Sequence, residues 1–144
     1  MNCSSQKPGD ERSLKTIVIP SDLAAAKEPE QAILREAKHN GFSEDAIFAI
    51  KLTLEEAITN AIKHGNKCDR TKKVTVRYAV DAHQVVICIR DEGTGFDPDT
   101  VPDPTRPERI SLPNGRGILL MKAYMSEVTY RYNGTEIFLR KRNE

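Results

Sequence analysis

Glu56 and Asn60 stand four residues apart and His64 four further on, so on a helix their side chains stack in one row. An asparagine oxygen is a hard ligand suited to Mg²⁺, which keeps several waters and takes its remaining ligands from phosphates. A carboxylate one turn away can orient or deprotonate an attacking hydroxyl. Further along, Asp91-Glu92-Gly93-Thr94-Gly95 places an acceptor-only carboxylate, suited to the amino group of a base, on a turn whose glycines let backbone approach a ligand. Gly115-Arg116-Gly117 then opens an apolar stretch, and amides at a helix N-terminus attract phosphate, to which Arg116 adds charge. Each motif also has a plainer reading, as a surface hydrogen-bonding pair, a strand-end turn and a loop-to-helix junction. Their conjunction, in this order, describes a nucleotide pocket with its metal ion.

The row of polar residues needs a helix to carry it. Ile47, Ile50, Leu54, Ala57, Ile58, Ala61 and Ile62 recur at three- and four-residue steps, which predicts a long helix capped by Ser43, with Glu44 and Asp45 in its first turn and Gly65 at its end. Upstream, residues 14–19 read as a short β-branched strand stopped by Pro20. Ser21 is then expected to cap a helix running to about His39, broken or kinked near Glu28 by Pro29 and ended by Asn40-Gly41. Residues 73–80 and 84–89 form an expected hairpin around Asp81-Ala82-His83. The second run, Val85-Val86-Ile87-Cys88-Ile89, is continuously apolar, as befits a central strand, and it delivers Asp91 at its end.

Pro98, Pro102, Pro104, Pro107 and Pro113 make residues 96–114 a surface loop, and a loop of that length in a compact domain points to function. After it come a helix to about Met125 and a hairpin flanking Asn133-Gly134. The expected fold class is therefore α+β: a two-layer sandwich of a mostly antiparallel sheet with helices on one face. Residues 1–13 are polar and aperiodic and read as a disordered tail, leaving 14–144 as one domain.

With 144 residues and a formal net charge of +1, the chain has room for a real core and lacks the basic excess of a nucleic-acid binder. Cys3, Cys68 and Cys88 show no CxxC spacing and read as reduced thiols of a soluble, cytoplasmic protein. The early residues lack the apolar run of a signal peptide or membrane span. His83 reads as a solvated turn residue, His64 as capping or packing the helix end with no partner at zinc spacing, and Tyr124, Tyr130 and Tyr132 as packing residues.

The run Glu56-Ala57-Ile58-Thr59-Asn60-Ala61-Ile62-Lys63-His64-Gly65 resembles the N-box of the GHKL ATPase superfamily, which takes in type II topoisomerases, histidine kinases and mismatch-repair ATPases. Residues 91–97 are similar to its first glycine box, Gly115-Arg116-Gly117-Ile118 to its second, and Gly134-Thr135 to its closing Gly-Thr. The likeness spans about residues 14–141 and is greatest to the small stand-alone branch, the bacterial anti-sigma-factor serine kinases. The resemblance implies the Bergerat ATP-binding fold, with residues 96–114 as the ATP lid.

It further implies that Asn60 binds the Mg²⁺ bridging the ATP phosphates, that Glu56 is the general base and that Asp91 recognises the adenine amino group. Gly93 and Gly95 would shape the adenine end, Thr135 would support Asp91 through the base or a water, and Gly115 and Gly117 would let lid and helix amides meet the phosphates. Arg106, Arg109 and Arg116 compete for the phosphate contact, with Arg116 nearest the glycines. The lid is richer in proline than that branch leads one to expect.

The implied activity is serine/threonine phosphorylation of a small anti-anti-sigma antagonist by a protein that also binds a sigma factor or comparable output protein, as a possible homodimer, with no nucleic-acid or membrane partner. The alternative is an ATP- or ADP-loaded regulator that sequesters its partner without phosphoryl transfer. A histidine kinase is disfavoured, because His39 lacks the acidic neighbour and downstream proline of a phosphoacceptor motif.

Overall fold

The computed structural model describes residues 14–93 and 115–143, of which 115–119 by backbone alone. Five strands form one antiparallel sheet: β1 (Lys15–Pro20), β2 (Lys73–Val80), β3 (Gln84–Arg90), β4 (Glu127–Arg131) and β5 (Glu136–Arg142), in the order β1-β2-β3-β5-β4. Among the described residues the α-helices are α1 (Lys27–His39), α2 (Glu44–Asn60) and α3 (Gly115–Tyr124). The α+β sandwich expected from the sequence is thus the fold found.

The register explains why β3 is apolar throughout. Ile87 pairs with Tyr78 on one side and Leu139 on the other, and Val85, Ile87 and Ile89 face the helices together with Val74, Val76, Ile137 and Leu139. Val86 and Cys88 point to the opposite face, where Phe138 and Leu14 bury them. Helix α2 presses Ile50, Leu54, Ala57 and Ile58 onto the first face. Truncating a fully buried side chain such as Ile87 to alanine is expected to cost about 2–5 kcal/mol.

Local chemistry sets the helix ends. The Ser43 hydroxyl accepts the Ala46 amide at 3.1 Å, capping α2 as expected. Helix α1 stops in a Schellman turn: Gly41, at φ +81°, lets the Phe42 amide reach the Ala37 carbonyl (3.1 Å) and its own amide reach Lys38 (3.1 Å). The hairpin between β2 and β3 turns on Asp81, whose carboxylate accepts the amides of His83 and Gln84 at 2.7 and 2.9 Å.

Four local expectations change. Asp22, not Ser21, caps the first helical segment, accepting the Ala24 amide at 3.0 Å, because Ser21 is buried and engaged elsewhere. Pro29 does not break a helix. The segment Leu23–Ala26 is a 3₁₀ turn, and Pro29 falls in the first turn of α1, where its missing N–H costs nothing. The final hairpin has a four-residue loop, with Tyr132, Asn133 and Gly134 all left-handed (φ 53°, 58° and 83°), in place of a two-residue Asn-Gly turn. Cys88 is disulfide-bonded, so the reading of three reduced thiols fails there; Cys68 is free and exposed.

Candidate functional site

Helix α2 does not end as a simple α-helix. Over Ala61–Gly65 the hydrogen bonding widens to a π-turn, closed by the Asn66 amide on the Ala61 carbonyl at 2.8 Å. Such turns redirect the residues that follow, and they recur at functional sites. Lys67 and Cys68 then take left-handed φ values of 52° and 60°, uncommon for residues with side chains, and swing the chain back toward β2.

This bend brings Gly65 against Asp91, just beyond the end of β3. A methyl group on Gly65 would overlap the Asp91 carboxylate, meeting Oδ1 at 2.9 Å, and one on Gly93 would overlap the Gly65 carbonyl. Two glycines are therefore required for the acidic turn and the helix end to pack face to face. Asp91 is fixed from both sides: its amide donates to the Thr135 carbonyl (2.9 Å), and its Oδ1 accepts the Gly93 amide (2.8 Å). Burial raises its carboxyl above the ordinary value, opposed by the Gly93 hydrogen bond and by the charges of Arg90 and Lys72.

The groups meet at a cavity of about 110 Å³ bordered by Asn60 at the end of α2, His64 and Gly65 from the π-turn, Ile89 from β3 and Asp91 just beyond it, Met121 from α3, and Tyr130, Gly134, Thr135 and Ile137 from the last hairpin. That volume is well below the roughly 300–1,000 Å³ that encloses a drug-sized ligand, so these residues wall one end of a site. Its floor is apolar and its polar groups few, the pattern of a small-molecule site.

Asn60 and Asp91 thus line the same cavity. Glu56 is not a wall residue, but it acts on one: burial and the Glu56 carboxylate together push the Tyr130 phenol well above its ordinary value. Thr135 borders the cavity, and it supports Asp91 through its backbone carbonyl, because its hydroxyl donates to the Tyr132 carbonyl at 2.8 Å. Gly115, Arg116 and Gly117 form the first turn of α3, as backbone. Gly95, residues 96–114 and with them Arg106 and Arg109 lie outside the described residues.

His64, Gly65, Met121 and Tyr130 join the site although sequence reasoning did not select them. His64 and Gly65 lay within the quoted N-box, and the row Glu56, Asn60, His64 already pointed at the first of them. No spacing rule connects Met121 and Tyr130 to residues some sixty positions earlier, since only the folded topology brings them together.

A resident Mg²⁺ fits the donor set in one respect that can be tested on the structure. The Asn60 side chain borders the cavity, where its Oδ1 would be the metal ligand; its Nδ2 is a buried donor with no hydrogen-bond partner among the described residues, a capacity that an acceptor such as a metal-bound phosphate oxygen would take up. Among those residues no cluster of three or more His, Cys, Asp or Glu could hold a metal by itself. Magnesium does not need one, since it takes one or two protein ligands and completes its shell with phosphate and water.

Comparison with known proteins gives the class. The family described as "Histidine kinase-like ATPase domain" matches residues 19–141, and the chain belongs to that family. Within it, the chain groups with the anti-sigma-factor kinase branch of the GHKL superfamily. It is 30% identical to the "Serine-protein kinase RsbW" of Listeria innocua, covering 73% of this chain and 71% of that one, and 30% identical to that of Bacillus subtilis, covering 73% and 70%. It is 29% identical to the "Anti-sigma F factor" of Clostridium perfringens, over 65% of this chain and 70% of the other. A crystal structure of the RsbU and RsbW domains of Rv1364c from Mycobacterium tuberculosis shares the fold, with a TM-score of 0.60 at 18% identity. It covers 91% of this chain, which spans about a third (32%) of that one. Among the described residues no helix is long and apolar enough to cross a membrane.

Proposed function

We propose that this protein is an ATP-dependent serine/threonine protein kinase of the anti-sigma type, which phosphorylates a small antagonist protein and binds a sigma factor or comparable output protein. The observation that carries the reading is the shared cavity of Asn60 and Asp91, with Glu56 within electrostatic reach of its Tyr130 wall. Relatives named serine-protein kinase and anti-sigma F factor support it.

In this reading Asp91 accepts the adenine amino group, and Gly65 and Gly93 leave the space in which its carboxylate sits. Asn60 holds Mg²⁺, which when bound neutralises phosphate charge as it redistributes during transfer. Glu56 takes the proton of the incoming serine hydroxyl. The serine oxygen forms its bond to the γ-phosphorus as the bond to the β,γ-bridging oxygen breaks, and ADP leaves. Gly115, Arg116 and Gly117, at the start of α3, are assigned to the phosphates together with Gly95 and the lid at 96–114. The catalytic domain is 14–144, preceded by a tail.

A second reading, a nucleotide-loaded regulator that sequesters its partner, draws on Glu56 standing outside the wall of the cavity. Incubation with γ-labelled ATP, Mg²⁺ and a candidate antagonist separates the two. Label on an antagonist serine supports the kinase, and nucleotide binding with no transfer supports sequestration.

A further inference from the structure

Asn66 is 1% exposed, yet it touches four segments of the chain. Its Oδ1 accepts the backbone amide of Glu92 at 2.7 Å, between Asp91 and Gly93. Its Nδ2 donates to the Ser21 hydroxyl at 2.9 Å and to the Lys73 carbonyl at 3.0 Å. The Ser21 hydroxyl in turn donates to the Lys72 carbonyl at 2.8 Å, and the Glu92 carboxylate accepts the Lys73 amide at 3.2 Å. One buried amide thereby ties the end of β1, the end of the π-turn and the start of β2 to the acidic turn. The left-handed backbone of Lys67 and Cys68 directly after it is the kind of strain that persists only where surrounding contacts over-determine it.

Resting on the reading of Asp91 as the group that accepts the adenine amino group, we infer that Asn66 is the positioning residue for purine discrimination. It holds the Glu92 peptide and so sets where the Asp91 carboxylate stands in the cavity, without bordering that cavity itself. Asp91 has other anchors, the Thr135 carbonyl and the Gly93 amide, but those belong to the last hairpin and to the turn itself. Asn66 alone among the described residues fixes the turn from the side of α2 through a side chain. Buried amides with every partner in place rigidify a site in this way, and removing one partner leaves the other groups unsatisfied.

The test is calorimetric titration of the full chain with ATP and with purine riboside triphosphate, which lacks only the 6-amino group, for wild type, Asn66→Ala and Ser21→Ala. Wild type is expected to prefer ATP by about tenfold or more, the worth of one hydrogen bond to a charged acceptor. In Asn66→Ala the preference is expected to fall to within about twofold of unity, a loss of selectivity and not only of affinity. Ser21→Ala, which removes one of the partners of Asn66, moves the ratio in the same direction by less. Should Asn66→Ala fail to fold, Ser21→Ala decides: a lowered ratio supports the inference and an unchanged one overturns it. Equal weakening of both nucleotides by Asn66→Ala overturns it as well, leaving the reading of Asp91 intact. A wild type with no preference for ATP overturns that reading and the inference together.

Discussion

The Asp91 carboxylate and the α-carbon of Gly65 are so close that a single methyl group cannot be placed between them. A residue beyond the end of β3 and one at the end of the π-turn therefore form one surface, and the rest of the cavity is arranged around that contact.

Gly65→Ala follows directly. The added methyl must displace either the carboxylate or the π-turn, and overpacking of this kind costs about 1–3 kcal/mol. ATP affinity is expected to fall at least about tenfold while far-ultraviolet circular dichroism remains that of a folded α+β protein. Wild-type affinity in this variant would show that the carboxylate is not where binding needs it.

Asn60→Ala removes a side chain whose buried nitrogen has no partner among the described residues, so the apo protein is expected to lose little stability. The affinity for ATP is expected to lose its dependence on Mg²⁺, measured by titration with and without the metal. A variant that keeps the full magnesium response would assign the metal elsewhere.

Glu56→Gln separates binding from chemistry. Nucleotide affinity is expected to change by no more than about twofold, while phosphate transfer to the antagonist falls by about 10²–10⁴, the usual worth of a general base. Transfer at the wild-type rate would remove Glu56 from the mechanism.

The pH dependence follows from the raised Asp91 carboxyl. The native state holds that proton more tightly than the unfolded chain does. Its contribution to stability is therefore complete below the ordinary value of 3.8 and is lost as pH rises through the folded-state value. Binding needs the opposite form, since an ionised carboxylate is acceptor-only. ATP affinity should strengthen as pH rises above 3.8 and through the folded-state value. A flat affinity profile across that range contradicts the assignment.

Much of the architecture was written in local pattern. The three- and four-residue recurrence of Ile50, Leu54, Ala57 and Ile58 gave α2, the cap at Ser43 gave its start, and the unbroken run through β3 marked the central strand. Of the polar row, Asn60 and His64 share a cavity with the acidic turn while Glu56 stays outside its wall, because the π-turn after α2 and the end of β3 meet at the same end of the sheet. The π-turn was not legible, since a one-residue widening leaves no trace in hydrophobic spacing. Nor was Asn66, which in sequence is an ordinary polar residue after a helix-ending glycine. Its meaning lies in partners 45 and 26 residues away. Ser21 misled for the same reason: a good cap by type, it was already committed to Lys72 and Asn66.

The most direct measurement is titration of wild type and Asp91→Asn with ATP and Mg²⁺. The asparagine keeps the shape and can still accept the Gly93 amide, but it brings a donor where the adenine amino group needs an acceptor. Loss of roughly 10- to 100-fold or more in affinity, with thermal stability equal to or above that of the wild type because a costly buried charge is gone, is the expected result. Undiminished ATP binding by a folded Asp91→Asn protein would contradict the central claim that this cavity receives the base.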